Sequence, residues 1–209
     1  MKITVIGSGN MGSAFVQQLT KAGHQVSVTG RDAAKAAQLA ARYGARAVPV
    51  AEAGSDSELL ILATAYPDAV SALHAIAPRA GQVVVDITNP LTADYMGLTL
   101  GHTTSAAEEI ASAVPGVHIV KAFNTVFAQV LAEGADFGGG KRVPAFIAGD
   151  DDHAKEKVAT MARSIGFDLI DAGKLKNARY LEPLAGLNIY LGYGAGLGTS
   201  IAPTWLRKA

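Results

Sequence analysis

Lys2-Ile3-Thr4-Val5-Ile6-Gly7-Ser8-Gly9-Asn10-Met11-Gly12 is the stretch that decides the fold. Residues 2–6 form an apolar, β-branched run and predict a strand covered on both faces. Three glycines then follow at the G-x-G-x-x-G spacing. Gly7 permits a tight turn, Gly9 lets backbone approach a ligand phosphate, and Gly12 lets the next helix pack closely on the strand. That helix is predicted over about 10–22, with Phe15, Val16 and Leu19 on its apolar stripe and Gly23 as its C-cap. Its free N–H groups and dipole suit a pyrophosphate. Gln25-Val26-Ser27-Val28-Thr29 supplies a second strand at βαβ spacing. This context separates a dinucleotide fingerprint from a glycine-rich turn.

The tip of the second strand carries a sharper signal. An NAD site places Asp or Glu about 20 residues beyond the glycines, on the ribose hydroxyls. Here the chain reads Thr29-Gly30-Arg31-Asp32, with Lys35 one helical turn later. Arg31 and Lys35 stand where a 2′-phosphate would lie, the first offering a bidentate grip and the second a point charge. Asp32 reads as the cap of the following helix. The expected cofactor is NADP(H).

Composition narrows the alternatives. The 209 residues, 49% of them hydrophobic, are enough for one domain with a substantial core. Eighteen basic and eighteen acidic side chains cancel, which argues against a nucleic-acid or anionic-membrane surface. The sequence has no cysteine, which excludes disulfides, thiolate nucleophiles, iron–sulfur clusters and Cys-based zinc sites. The first strand begins almost at Met1, so no signal peptide is expected. The apolar run Leu59 to Ala63 is far too short to span a bilayer. A cytoplasmic protein is the expectation.

Strand and helix signals alternate along the rest of the chain. Ala33 to Tyr43 predicts a helix closed by Gly44, and Ala45 to Val50 a short strand. Glu58 to Ala63 predicts a buried strand whose carboxyl-end loop is Thr64-Ala65-Tyr66-Pro67. In an open α/β sheet such loops face the ligand, so Ala63, Thr64 and Ala65 are expected near the cofactor, with the Tyr66 ring near its ribose or nicotinamide. A helix over 68–77 and a strand over 82–86 lead into Asn89-Pro90, again on the cofactor side. Ser105-Ala106-Ala107-Glu108 is a capping box opening a helix to about Val114. A strand over 117–123 ends in Asn124-Thr125-Val126-Phe127. Gly138-Gly139-Gly140 reads as the lead-in to a strand over 143–148. Gly149-Asp150-Asp151-Asp152-His153 reads as a helix start, not a metal site. A last strand is expected over 167–171, and a helix over 179–191 broken by the glycines 192–198. The pattern predicts a doubly wound, mainly parallel α/β sheet.

Proton-transfer machinery is scarce. His24, His74, His102, His118 and His153 stand in no fixed relation to a lysine, serine or carboxylate at the predicted cofactor face. No G-x-S-x-G, Walker or H-E-x-x-H sequence is present. Hydride transfer between stacked rings needs little acid–base help. Ala63, Ala65, Ala122 and Ala128, all near predicted strand ends, are small enough to permit such stacking.

Lys2 to Gly12, Thr29-Gly30-Arg31 with Lys35, Lys121-Ala122-Phe123-Asn124-Thr125, Gly149-Asp150-Asp151, Ile170 to Leu175, and Ala178-Arg179 with Leu181-Glu182-Pro183 resemble the NADPH-dependent coenzyme F420 reductases. They resemble equally the oxidoreductase domain of the STEAP metalloreductases. The resemblance spans nearly the whole chain. It implies a single dinucleotide-binding domain, with a core over about 1–148 and a small helical C-terminal part over about 149–209 that covers the acceptor site. It also implies hydride passage from NADPH to a flavin or deazaflavin, a small-molecule acceptor, within a homodimer. By position, Ser8, Asn10 and Met11 hold the pyrophosphate, and Arg31 and Lys35 the 2′-phosphate. Thr64, Ala65 and Tyr66 flank the nicotinamide ribose, and Asn89, Asn124 and Thr125 line the ring-stacking site. Gly30 stands where F420 reductases often carry Ser, and Asn124-Thr125 where they tend to carry His-Thr; at this second place the chain follows the STEAP-like pattern instead. Two other readings are a β-hydroxyacid or imine reductase, which would require a long helical second domain, and a non-catalytic NADP sensor.

Overall fold

The apolar runs become eight strands of one sheet in the computed structural model, which describes residues 1–205 and 208. The strands are β1 (Lys2–Ile6), β2 (Gln25–Thr29), β3 (Arg46–Ala47), β4 (Leu59–Leu62), β5 (Val83–Asp86), β6 (His118–Ala122), β7 (Pro144–Gly149) and β8 (Asp168–Asp171). Their order is β3-β2-β1-β4-β5-β6-β7-β8, and every neighbouring pair is parallel except β6 and β7. Strand order reverses between β1 and β4, which opens a crevice beyond their carboxyl ends.

Among the described residues seven α-helices cover the sheet: α1 (Asn10–Lys21), α2 (Ala33–Tyr43), α3 (Tyr66–Ile76), α4 (Ala106–Ala113), α5 (Ala128–Glu133), α6 (Asp152–Ser164) and α7 (Ala178–Ile189). Successive strand residues serve opposite faces. Ile3, Val5, Leu59, Ile61 and Val85 pack with Phe15, Leu39, Val130 and Met161 from α1, α2, α5 and α6. Ile6, Leu60, Leu62 and Val84 pack with Leu73 and Ile110 from α3 and α4. A third, smaller cluster joins Phe146 and Ala148 of β7 to Leu181 of α7. Among the described residues, no helix is long and apolar enough to cross a membrane.

Helix α5 (Ala128–Glu133) forms where the sequence reading expects no element, and three expected elements take another form. The strand expected over 45–50 shrinks to Arg46–Ala47, because Pro49, which has no N–H for the ladder, leads into a 3₁₀ turn at Val50–Glu52. Helix α3 begins at Tyr66 instead of after Pro67, since a first-turn proline gives up an N–H that would be unpaired anyway. The helix ending in α7 does not break at Gly192. It continues through one wide turn, Tyr190–Gly194, with five residues in place of the usual α spacing. A Cβ at Gly192 would sit 2.7 Å from the Phe127 ring, so the glycine serves close packing there.

Candidate dinucleotide and acceptor site

The glycine turn after β1 is sterically determined. Gly7 has φ 120°, and a Cβ there would lie 2.4 Å from the Ala63 carbonyl oxygen. A Cβ at Gly12 would lie 2.0 Å from the Gly7 carbonyl oxygen, so any larger residue would push α1 off β1. Gly9 differs: a Cβ there would meet nothing within 4 Å, so its backbone is open to a ligand. Gly9 also caps α1 without a side-chain bond, and the first turn holds no acid. The helix N-terminus is therefore left for an external anion.

Two cavities flank this turn. The first, about 460 Å³, is lined by Gly7, Ser8 and Gly9, by Thr29, Gly30, Arg31 and Lys35, and by Ala63, Thr64 and Ala65. Asp32 does cap α2, accepting the Lys35 N–H at 2.9 Å. Arg31 reaches across to Asp68 of α3, with Nη1 donating to Oδ1 at 3.2 Å and Nη2 3.1 Å from Oδ2.

The second cavity, about 640 Å³, takes Asn10 and Met11 from α1 together with Asn89, Asn124 and Thr125. Phe123 turns the chain into it with φ 59°, a conformation that costs a bulky residue energy. Edge-on contacts at 5.1 Å to Phe15 and 5.3 Å to Phe167 hold that buried ring in place. Asn124 Nδ2 donates to Asn89 Oδ1 at 3.0 Å and to the Leu181 carbonyl at 2.9 Å, and Asn89 Nδ2 donates to the Asn124 carbonyl at 2.8 Å. Asn188 Nδ2 adds a bond to the Thr125 carbonyl at 3.1 Å, so α7 is tied to this loop at two points. Apolar side chains form the outer rim, among them Tyr95, Met96 and Tyr193, with Tyr193 edge-on to Phe127 at 5.7 Å.

Buried polar atoms without a partner collect in one region. Among the described residues they are Thr64 Oγ1, Thr88 Oγ1, Asn124 Oδ1 and Thr125 Oγ1, which follow β4, β5 and β6 at their carboxyl ends. Native interiors leave few such atoms, and their gathering here fits a place where a polar ligand would complete the bonding. The residues fit a dinucleotide: an uncapped helix start in the middle, cations at one end and unpaired amide and hydroxyl oxygens at the other.

Of the seventeen residues singled out from sequence, ten line the first cavity and five the second. Gly12 lines neither, since it packs under the turn. Tyr66 also lines neither cavity. It sits in the first turn of α3 and donates from its hydroxyl to Glu109 Oε2 at 2.6 Å. Burial and then that carboxylate push its phenol well above the ordinary tyrosine range.

Sequence reasoning missed the groups beneath the second cavity. Lys121 of β6 is fully buried, with Nζ 2.7 Å from Asp86 Oδ2, 2.7 Å from the Thr88 carbonyl and 2.8 Å from Glu182 Oε1. All three ammonium protons thus have acceptors. Glu182 of α7 also accepts the Ala106 and Ala107 N–H groups at 2.9 and 3.1 Å, capping α4 from outside its own segment. One signal was present: Asp86 is the last residue of one buried strand and Lys121 the last but one of its neighbour, where the two are register partners.

A second link joins α4 to α7. Arg179 donates from Nε and Nη2 to both oxygens of Glu108, at 2.8 and 2.6 Å. The guanidinium, followed by the Ser105 hydroxyl, holds the Glu108 carboxyl below its usual range. A depressed native pKa stabilises the fold above the unfolded value of about 4.3, and that stability is lost as pH falls through the native value. Glu108→Gln should therefore melt about 1–3 °C below wild type at pH 7. Thermal melts from pH 7 to 3 should show the gap closing in acid, whereas a constant gap would refute the linkage.

The fold and its two cavities define a doubly wound dinucleotide-binding protein, with the ligand crevice at the β1–β4 switch point. The family model described as NADP oxidoreductase, coenzyme F420-dependent, matches residues 2–90. The F420-dependent NADP reductase of Methanothermobacter marburgensis is 29% identical over 209 residues, covering 91% of this chain and 92% of that protein. Rat metalloreductase STEAP3 is 33% identical over 184 residues, 88% of this chain, and the match spans 36% of its length. A crystal structure from Arthrobacter sp. FB24, of a candidate F420-dependent NADP reductase, superposes with a TM-score of 0.85 at 30% identity, covering 95% of this chain and 96% of that one. The chain belongs to the F420-dependent NADP oxidoreductase family.

Proposed function

We propose that this protein is an NADPH-dependent reductase that passes hydride to a planar flavin or deazaflavin acceptor in the second cavity. The observation that carries the reading is the set of unpartnered buried oxygens after β4 and β6, Thr64 Oγ1 on the first cavity and Asn124 Oδ1 and Thr125 Oγ1 on the second. Relatives named as F420-dependent NADP reductases support it.

Each part of the chain has a distinct task in this reading. Arg31 and Lys35 grip the 2′-phosphate, and the start of α1 faces the pyrophosphate. A bound nicotinamide supplies the hydride. Asn124 and Thr125 offer acceptor oxygens that fix a ring's orientation, and Asn89 holds Asn124 in place. Met11, Ile87, Phe127 and Ile189 surround the acceptor with apolar surface and exclude water. The carboxylate in the described lining, Asp94, already accepts from Thr92 Oγ1 at 2.6 Å and from the Met96 N–H at 3.0 Å. Positioning of two rings, more than proton transfer, is the work such a lining performs.

Stopped-flow oxidation of NADPH by the purified protein against FMN, FAD, riboflavin, the deazaflavin and ferric chelates tests this, with NADH alongside. The expected result is fast turnover with one ring acceptor and a preference for NADPH. Tight NADPH binding without oxidation by any of these would replace the proposal with a sensing role.

A further inference from the structure

The first cavity carries an anion where its proposed ligand is also anionic. Both Nη atoms of Arg31 are committed to Asp68, at 3.2 and 3.1 Å, and the two residues line the cavity from opposite elements, the tip of β2 and the first turn of α3. Asp32 is occupied as the α2 cap, and Lys35 Nζ has no ion-pair partner among the described residues. Asp68 is thus the carboxylate that faces the cations of this groove.

We propose that Asp68 is a specificity-determining residue that competes with the ligand's 2′-phosphate for Arg31 and so limits the preference for the phosphorylated dinucleotide. This inference rests on the NADPH reading above. The end of a guanidinium that forks onto one carboxylate must release it to fork onto a phosphate. Asp68 is well anchored as a competitor, because the N-terminus of α3 favours a negative charge in its first turn. Once Arg31 has moved, the carboxylate stays in the same groove and repels the phosphate. The pair is accessible, with side-chain exposures of 86% for Arg31 and 35% for Asp68, so the exchange needs no opening of the core. It also limits the size of the effect, since exposed ion pairs are weak.

Calorimetric titration tests this without turnover, using NADPH and NADH and the fragments 2′,5′-ADP and 5′-AMP, which differ by the 2′-phosphate alone. The proteins compared are wild type, Asp68→Asn, Arg31→Ala and the double variant. Asp68→Asn should bind NADPH and 2′,5′-ADP about three- to tenfold tighter at low salt, with NADH and 5′-AMP within about twofold of wild type. The gain should shrink as salt is raised, and it should be markedly smaller in the Arg31→Ala background, where only the carboxylate's own repulsion of the phosphate is left to remove. An unchanged affinity of Asp68→Asn for 2′,5′-ADP, with Arg31→Ala still weakened, would overturn the competition and leave the phosphate assignment standing. Equal tightening of both fragments would also overturn it, because the effect would then belong to the groove's general field. Equal weakening of NADPH and NADH by Arg31→Ala would remove the phosphate assignment itself.

Discussion

Lys121→Met should lower the melting temperature by about 10 °C or more. The substitution keeps the length of the side chain and removes its charge, leaving Asp86 and Glu182 buried without their shared cation. Breaking a buried ion pair from one side costs about 3–5 kcal/mol, because the remaining charge is neither solvated nor paired. In a domain of this size each kcal/mol moves the midpoint by about 2–4 °C. Glu182 keeps its two N–H donors from α4, so Asp86 bears most of the loss. Replacing Asp86 and Lys121 together by apolar residues of similar volume should recover part of it, as apolar replacement of a buried pair often does. Melts of the single and double variants check both points. A drop below about 3 °C for Lys121→Met would mean that the triad adds little to stability.

Arg31→Ala should weaken NADPH binding by about ten- to hundredfold and NADH binding by less than about threefold. A hydrogen bond to a charged group is worth about 1.5–3 kcal/mol, and each 1.4 kcal/mol is a factor of ten in affinity. Lys35 remains in the groove and should prevent complete loss. Fluorescence titration with the two nucleotides reads the ratio directly. Stability should hardly change, since Arg31 is largely exposed and its bond to Asp68 is a surface pair.

Local punctuation explains which parts of the fold were readable in the sequence. Strand β2 and helix α2 have the bounds that their flanking residues suggest, because Gly30 and Asp32 separate them and Gly44, in the left-handed region at φ 71°, stops the helix. The capping box at Ser105 also forms, with its hydroxyl accepting the Glu108 N–H at 3.2 Å. What stayed hidden depends on contacts distant in sequence. Glu182 caps a helix 75 and 76 residues away, a pairing that no local pattern announces. The direction of the Tyr66 ring depends on whether α3 starts before or after Pro67, a shift that turns the side chain toward Glu109. In the first cavity the residue types at the tip of β2 were legible, but Asp68 opposite them was not. Its approach is set by how α3 leaves β4.

The wide turn at Tyr190–Gly194 gives this architecture a means of changing shape in small steps. A turn holding one residue more than an ordinary α-helix is what a single inserted codon leaves behind, and removing that residue would restore regular winding. Everything downstream would then rotate by about 100°. Tyr193 would leave Phe127, and the cavity wall would be redrawn while the sheet beneath stayed as it is. A one-residue change of length in this stretch thus reshapes the second cavity and leaves the glycine turn after β1 untouched.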